Sequence, residues 1–84
     1  MIDKAVVLID MMFASRPIEE FEELWKNKEN FDWGKLLHMC YWEERYESVG
    51  GDEGYMDNPP INYERLEYLR KLITFLKEKG IKET

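Results

Sequence analysis

The sequence predicts an all-α fold, a compact bundle of three to four short helices with one glycine- and proline-rich loop. Apolar residues recur at steps of three and four along four separate stretches, which is the period of a helix. Glycine and proline concentrate in a single stretch, residues 49–61, which predicts a long loop there. The 84 residues suffice for one small core. We therefore interpret residues 1–84 as a single helical domain.

The first predicted element, residues 2–14, fits two interpretations. The apolar run AVVLI is rich in β-branched residues and fits a buried strand. The apolar pattern persists for about three turns, however, which favours a helix with Asp10 on its less buried side. The remaining apolar residues, Val7, Leu8 and Met11, would then be partly buried on the opposite side. The helical face that the spacing predicts consists of Ile2, Ala5, Val6, Ile9, Met12 and Phe13.

The stretch AVVLIDMM, residues 5–12, resembles the opening strand of isochorismatase-like hydrolases. In that family the Asp after this strand belongs to a Cys-Lys-Asp site, which implies a catalytic role for Asp10. The family fold is α/β and much longer than this chain. Cys40 here lies inside an apolar helical pattern, and no matching motif follows it. We therefore keep the helical interpretation and expect no catalytic activity.

The second predicted helix covers residues 17–27. Pro17 suits the first helical position, where its missing N–H costs no hydrogen bond. Acidic residues dominate the first two turns, where the helix dipole favours negative charge. Glu22 and Lys26 form a favourable pair one turn apart. The apolar stripe consists of Ile18, Phe21, Leu24 and Trp25.

The third predicted helix, residues 33–48, is apolar around much of its circumference. Asp32 is its predicted N-cap. One face carries Trp33, Leu36, Leu37, Cys40 and Tyr41, and the set Met39, Trp42 and Tyr46 widens that face. A helix that is apolar around so much of its circumference either lies at the centre of the core or presents an exposed aromatic patch.

The fourth predicted helix, residues 63–79, has the most regular pattern. Asn62 is the predicted N-cap, and Glu67 is placed to pair with Lys71. Gly80 is expected in the left-handed conformation after the last turn, with Ile81 touching the helix as in a Schellman ending. The apolar side consists of Leu66, Leu69, Leu72, Ile73 and Leu76.

The charge pattern limits the class of partner. The net charge is −6, and residues 1–60 hold 14 acids against 6 Lys or Arg. Such a surface repels nucleic-acid phosphates and anionic lipid, so we expect no direct nucleic-acid or membrane binding. A basic surface on another protein is the better expectation. The single cysteine excludes an internal disulfide and fits a cytoplasmic location.

Metal, cofactor and nucleophile chemistry finds little support in the sequence. His38 and Cys40 are the only residues of their types, and two positions apart on a helix their side chains diverge. The loop acids Asp52, Glu53 and Asp57 do not match the spacing of an EF-hand calcium loop. We expect no cofactor, no metal and no enzyme activity.

Two groups of residues are candidates for binding a partner. They are the helix-two acids Glu19, Glu20 and Glu23, and the aromatic residues Tyr41, Trp42, Tyr46 and Tyr55. Together they predict a small acidic protein-binding module. One concrete form is an inhibitor that covers a basic, nucleic-acid-binding surface, as phage anti-defence proteins do. The alternative is a homodimeric structural or regulatory subunit that pairs through surplus apolar surface on helices one and three.

Overall fold

The computed structural model describes residues 3–48 and 61–83. This part of the chain forms four helices and no strand: α1 (Lys4–Phe13), α2 (Ile18–Lys26), α3 (Trp33–Ser48) and α4 (Tyr63–Glu78). The all-α prediction is confirmed, and residues 4–10 are helical rather than extended. The loop predicted at 49–61 lies outside the described residues, apart from Ile61.

The two long helices, α3 and α4, pack against each other in opposite directions, while α1 packs on α3 and α2 packs on α4. At the end of α3, Glu47 Oε1 accepts a hydrogen bond of 2.8 Å from the backbone N–H of Asn62, just before α4. Near the start of α3, His38 contacts Glu83, which follows α4. These two contacts fix the antiparallel register of the pair.

The core is one apolar cluster contributed by all four helices. Within the described residues no polar or charged side chain is buried. Complete burial of one large apolar side chain contributes about 1.5–3 kcal/mol, so this cluster dominates the stability of the fold. Its members are Leu8, Met12, Phe21, Trp33, Leu36, Leu37, Cys40, Leu69, Leu72 and Leu76.

The buried side of α1 differs from the predicted one. Ala5, Leu8 and Met12 are buried, whereas Val6 and Phe13 are 40% and 49% exposed. Because α1 is apolar around most of its circumference, its own pattern selects no side. Packing against α3 decides which side is buried. The predicted position of Asp10 on the exposed side is confirmed.

Both predicted N-terminal caps are confirmed. Asp32 Oδ1 accepts from the Lys35 N–H at 3.0 Å, and Asn62 Oδ1 accepts from the Arg65 N–H at 3.0 Å. The placement of Pro17 as the first residue of α2 is wrong: its ψ is 142°, and it is the N-cap. An N-cap residue keeps non-helical backbone angles, so the helical geometry begins at Ile18.

Three helices end in the same hydrogen-bonded motif. After α4, Gly80 has φ 78°, and the Ile81 N–H reaches the Leu76 carbonyl at 3.2 Å, which confirms the predicted Schellman ending. The ends of α1 and α2 repeat this motif with non-glycine residues in the left-handed position. These residues are Ser15 and Lys28, with φ of 54° and 55°. Left-handed backbone costs a residue with a Cβ about 1–2 kcal/mol.

The turn between α1 and α2 is fastened to α4 by two side chains. Arg65 Nη1 donates to the Met12 carbonyl and, at 3.0 Å, to Ser15 Oγ. Tyr68 Oη donates to the Arg16 carbonyl at 2.7 Å. The Arg65 guanidinium also lies at the negative end of the α1 dipole, where a cation is favourable.

Candidate functional site

The outer face of α3, defined by His38, Trp42 and Tyr46, points away from the core. These residues are four positions apart and therefore share one side of the helix. Trp42 is 58% exposed and Tyr46 is 54% exposed. The buried residues of α3, such as Leu36 and Cys40, occupy the opposite side. Trp42 and Tyr46 are thus free to contact a partner.

The C-terminal segment returns along α3 and creates a shallow groove beside this face. Gly80 ends α4 and Ile81 packs against the core. Glu83 then reaches His38, with 2.7 Å between Oε1 and Nδ1. The α3 groove has a volume of about 370 Å³ and is lined by Tyr41, Trp42, Glu44, Arg45 and Glu83.

A chain of hydrogen bonds joins Trp42, His38 and Glu83. Trp42 Nε1 lies 3.0 Å from His38 Nε2. An indole nitrogen can only donate, so Nε2 is the acceptor in this hydrogen bond, which favours the tautomer with its proton on Nδ1. Nδ1 then donates to Glu83.

A second carboxylate is fixed on α3. Glu44 Oε1 accepts from Arg70 Nε at 3.2 Å, and Arg70 comes from α4. Arg45 also lines the groove, and within the described part of the chain it forms no ion pair. The carboxylates of Glu44 and Glu83 and the guanidinium of Arg45 therefore line the same groove as Trp42.

The acids of α2 differ in whether they form ion pairs with other described residues. Glu20 is held by Arg16 through two hydrogen bonds, of 2.8 and 2.9 Å. Glu22 pairs with Lys26 at 3.6 Å, as predicted. Glu19 and Glu23 are exposed, and among residues 3–48 and 61–83 neither has an ion-pair partner. Two of the three predicted acids thus present unengaged carboxylates.

The only thiol of the chain, Cys40, is unreactive at neutral pH. Cys40 Sγ lies 3.3 Å from Met12 Sδ inside the core. Burial raises the pKa of Cys40 to about 12, so the reactive thiolate is scarce at neutral pH. Among the described residues, no group of three or more His, Cys, Asp or Glu side chains could hold a metal ion.

The structure brings only part of the predicted site together. Tyr41 is half-buried and lines the α3 groove with Trp42, while Tyr46 lies one turn further along the outer face. The acids Glu19, Glu20 and Glu23 lie on α2, which packs on α4. Tyr55 lies outside the described residues.

Arg45 and Glu83, which line the groove, were not predicted from the sequence. His38, which contacts Glu83 beside the groove, was considered only for metal or nucleophile chemistry. The spacing of four between His38 and Trp42 was a usable signal for a contact. Glu83 had none, because 45 residues separate it from His38.

A second groove lies at the turn between α2 and α3, with a volume of about 720 Å³. Trp33 lies at its centre and contacts Trp25 and Phe31 edge-to-face, with ring centroids 5.4 and 5.9 Å away. Edge-to-face pairs add about 0.5–1.5 kcal/mol to the effect of burial. These rings close one end of the core.

No helix in the described part of the chain is long and apolar enough to cross a membrane. Comparison of the chain with models of protein families, with curated protein sequences and with solved structures gave no match.

Proposed function

We propose that this protein is a small acidic, non-catalytic module that binds another protein through the outer face of α3. The observation that carries the proposal is the exposure of Trp42 and Tyr46, one turn apart and next to a groove. Tyr and Trp contribute most binding energy at protein interfaces because they bury a large, rigid surface at low entropic cost.

The packing of the core supports this use of the two aromatic residues. The core is filled by residues from the opposite side of α3, among them Leu36, Leu37 and Cys40. The fold therefore gains little from Trp42 and Tyr46. The exposure of these two aromatic residues is typical of a surface that contacts another protein.

The charge of the molecule supports a basic partner. The net charge is −6, and Glu19 and Glu23, one turn apart on α2, are exposed and form no ion pair with the other described residues. Opposite charge speeds the encounter of two proteins and fixes their orientation. An inhibitor that covers a basic nucleic-acid-binding surface, as phage anti-defence proteins do, is the concrete form we favour. The free thiol Cys40 fits action in the cytoplasm.

The test compares partner capture by matched variants. Immobilised wild-type protein and Trp42→Ala are incubated with host extract, and captured proteins are identified by mass spectrometry. The protein that wild type captures and Trp42→Ala loses is then purified, and its affinity is measured by calorimetry. We expect Trp42→Ala to weaken binding by at least about 2 kcal/mol, the loss typical of an interface anchor. Tyr63→Ala is the control, because Tyr63 is 72% exposed on α4.

The charge contribution is tested on the same complex. Glu19→Lys with Glu23→Lys should slow association, and the difference from wild type should shrink as salt rises. Asp10→Lys with Glu78→Lys makes the same change of charge elsewhere, in the last turns of α1 and α4, where Lys is tolerated. Equal effects of the two double variants would refute a role for the α2 acids. Equal capture by wild type and Trp42→Ala would refute the proposed surface.

A second candidate is a homodimer that pairs through α1. Val6 and Phe13 are exposed on one side of this helix, next to the half-buried Ile9. Sedimentation velocity at micromolar concentration distinguishes the two candidates. A dimer that Val6→Lys dissociates would support the homodimer, and a strict monomer would end it.

A further inference from the structure

We infer that the α3 groove receives a single arginine side chain of the basic partner, stacked on Trp42 and paired with Glu83. This inference rests on the proposed function and names the chemistry of the contact. It follows from the positions of the carboxylates and of the exposed ring.

The groove presents two carboxylates whose positions are already fixed. His38 holds one oxygen of Glu83 at 2.7 Å, and Arg70 holds one oxygen of Glu44 at 3.2 Å. Each carboxylate keeps a second oxygen that can accept a further hydrogen bond. A ligand that pairs with groups already held in place avoids the entropic cost of ordering them.

The hydrogen bond from Trp42 to His38 connects the exposed ring to the Glu83 side of the groove. Trp42 Nε1 donates to His38 Nε2, and the other ring nitrogen of His38 contacts Glu83. The same bond fixes the indole ring, which is 58% exposed. A cation that stacks on this ring gains a cation–π interaction.

A guanidinium fits this arrangement better than an ammonium. Its planar group can stack on an indole and simultaneously donate parallel hydrogen bonds to a carboxylate at its edge. Tyr41 adds a second aromatic wall to the groove. Arg45 weakens the binding of a guanidinium, because its positive charge lies in the same groove and repels an incoming cation.

The test uses small probes, without the partner. Uniformly ¹⁵N-labelled protein is titrated with N-acetyl-arginine methylamide at constant ionic strength, and chemical shifts are followed by NMR. We expect saturable shifts of the Trp42 indole and of the Glu83 amide. N-acetyl-lysine methylamide should bind more weakly, and N-acetyl-glutamate methylamide should leave both signals unchanged.

Three variants separate this contact from general attraction to an acidic protein. Glu83→Gln keeps an oxygen for His38 but removes the charge, and should weaken the arginine probe about threefold. Arg45→Gln should strengthen the probe by a similar factor. Glu78→Gln changes the net charge equally, away from the residues that line the groove, and should have no effect.

Several results would overturn the inference. In the titration of wild type, these are an absent or unsaturable shift of the Trp42 indole, equal binding of the arginine and glutamate probes, or tighter binding of the lysine probe than of the arginine probe. For the variants, the contradicting result is an affinity for the arginine probe that is unchanged in Glu83→Gln or in Arg45→Gln. The proposed function is judged separately, by loss of the partner in Trp42→Ala. Failed probe binding with persistent Trp42-dependent capture would refute only the inference. Probe binding without Trp42-dependent capture would refute the proposed function, and with it the arginine of a partner as the occupant of the groove.

Discussion

Tyr68 Oη donates a 2.7 Å hydrogen bond to the carbonyl of Arg16, 52 residues earlier in the chain. This bond ties the turn between α1 and α2 to the middle of α4. Arg65, one turn before Tyr68, fastens the end of α1 in the same way. The turn is therefore held by long-range contacts as well as by its own hydrogen bonds.

Tyr68→Phe should destabilise the fold by about 1 kcal/mol, the typical net contribution of one hydrogen bond. The aromatic ring is retained, so the loss reports the hydroxyl alone. Urea unfolding followed by circular dichroism measures the change. Tyr63→Phe is the matched control, because Tyr63 is largely exposed and should leave stability unchanged. An equal loss in both variants would contradict a specific role for the Tyr68 hydroxyl.

Stability should fall at alkaline pH. Burial raises the pKa of Tyr68 from 10.0 to about 12. The folded protein therefore holds this proton after the unfolded chain has released it. The contribution is complete below pH 10 and is lost as pH rises towards 12. Urea midpoints measured across this range should fall less steeply for Tyr68→Phe than for wild type, and identical slopes would contradict the assignment.

Lys28→Gly should stabilise the protein by about 1 kcal/mol, because Lys28 has φ 55° and glycine adopts this conformation without strain. Ser15→Gly should gain less, since Ser15 Oγ also accepts a hydrogen bond from Arg65. Thermal and urea unfolding measure both changes. Lys35→Gly, inside α3, should lose about 1 kcal/mol and shows that glycine is not stabilising in general.

Cys40 should resist alkylation in the folded state. Its side chain is fully buried, and burial raises its pKa to about 12. At neutral pH, iodoacetamide should modify the urea-unfolded protein readily and the folded protein only through rare global unfolding. Mass spectrometry over time measures the two rates. Rapid modification of the folded chain would place Cys40 outside the core.

Truncation of a core residue should destabilise the fold, whereas truncation of a residue on the outer face of α3 should leave its stability almost unchanged. Leu69→Ala removes a fully buried side chain and should cost about 2–5 kcal/mol. Tyr46→Ala removes an exposed side chain and should change stability by no more than about 0.5 kcal/mol. Urea unfolding of the two variants provides the comparison. A large loss in Tyr46→Ala would mean that this aromatic residue serves the fold.

The elements that local chemistry specifies were predictable from sequence. The helices, the caps at Asp32 and Asn62 and the ending at Gly80 each depend on residues within about one turn, so their signals are contiguous. The buried side of α1 was not predictable, because an almost uniformly apolar helix is oriented by its neighbour α3.

The site was predictable only in part, for the same reason. Trp42 and Tyr46 belong to α3, and their excess over the needs of the core was visible in its composition. The contact of His38 with Glu83 depends on how the chain returns after α4, which no local pattern encodes. Arg45 was missed because one cation on a long, charged helix has no distinguishing spacing.

The position of Trp42 gives the molecule an intrinsic optical reporter. Its indole is largely in contact with water, whereas Trp33 is only 8% exposed in the packed aromatic cluster. Acrylamide, an uncharged quencher, should therefore quench Trp42 more than Trp33, and a ligand seated on the Trp42 ring should shield it. Docking on α3 can thus be followed by fluorescence in unlabelled, wild-type protein.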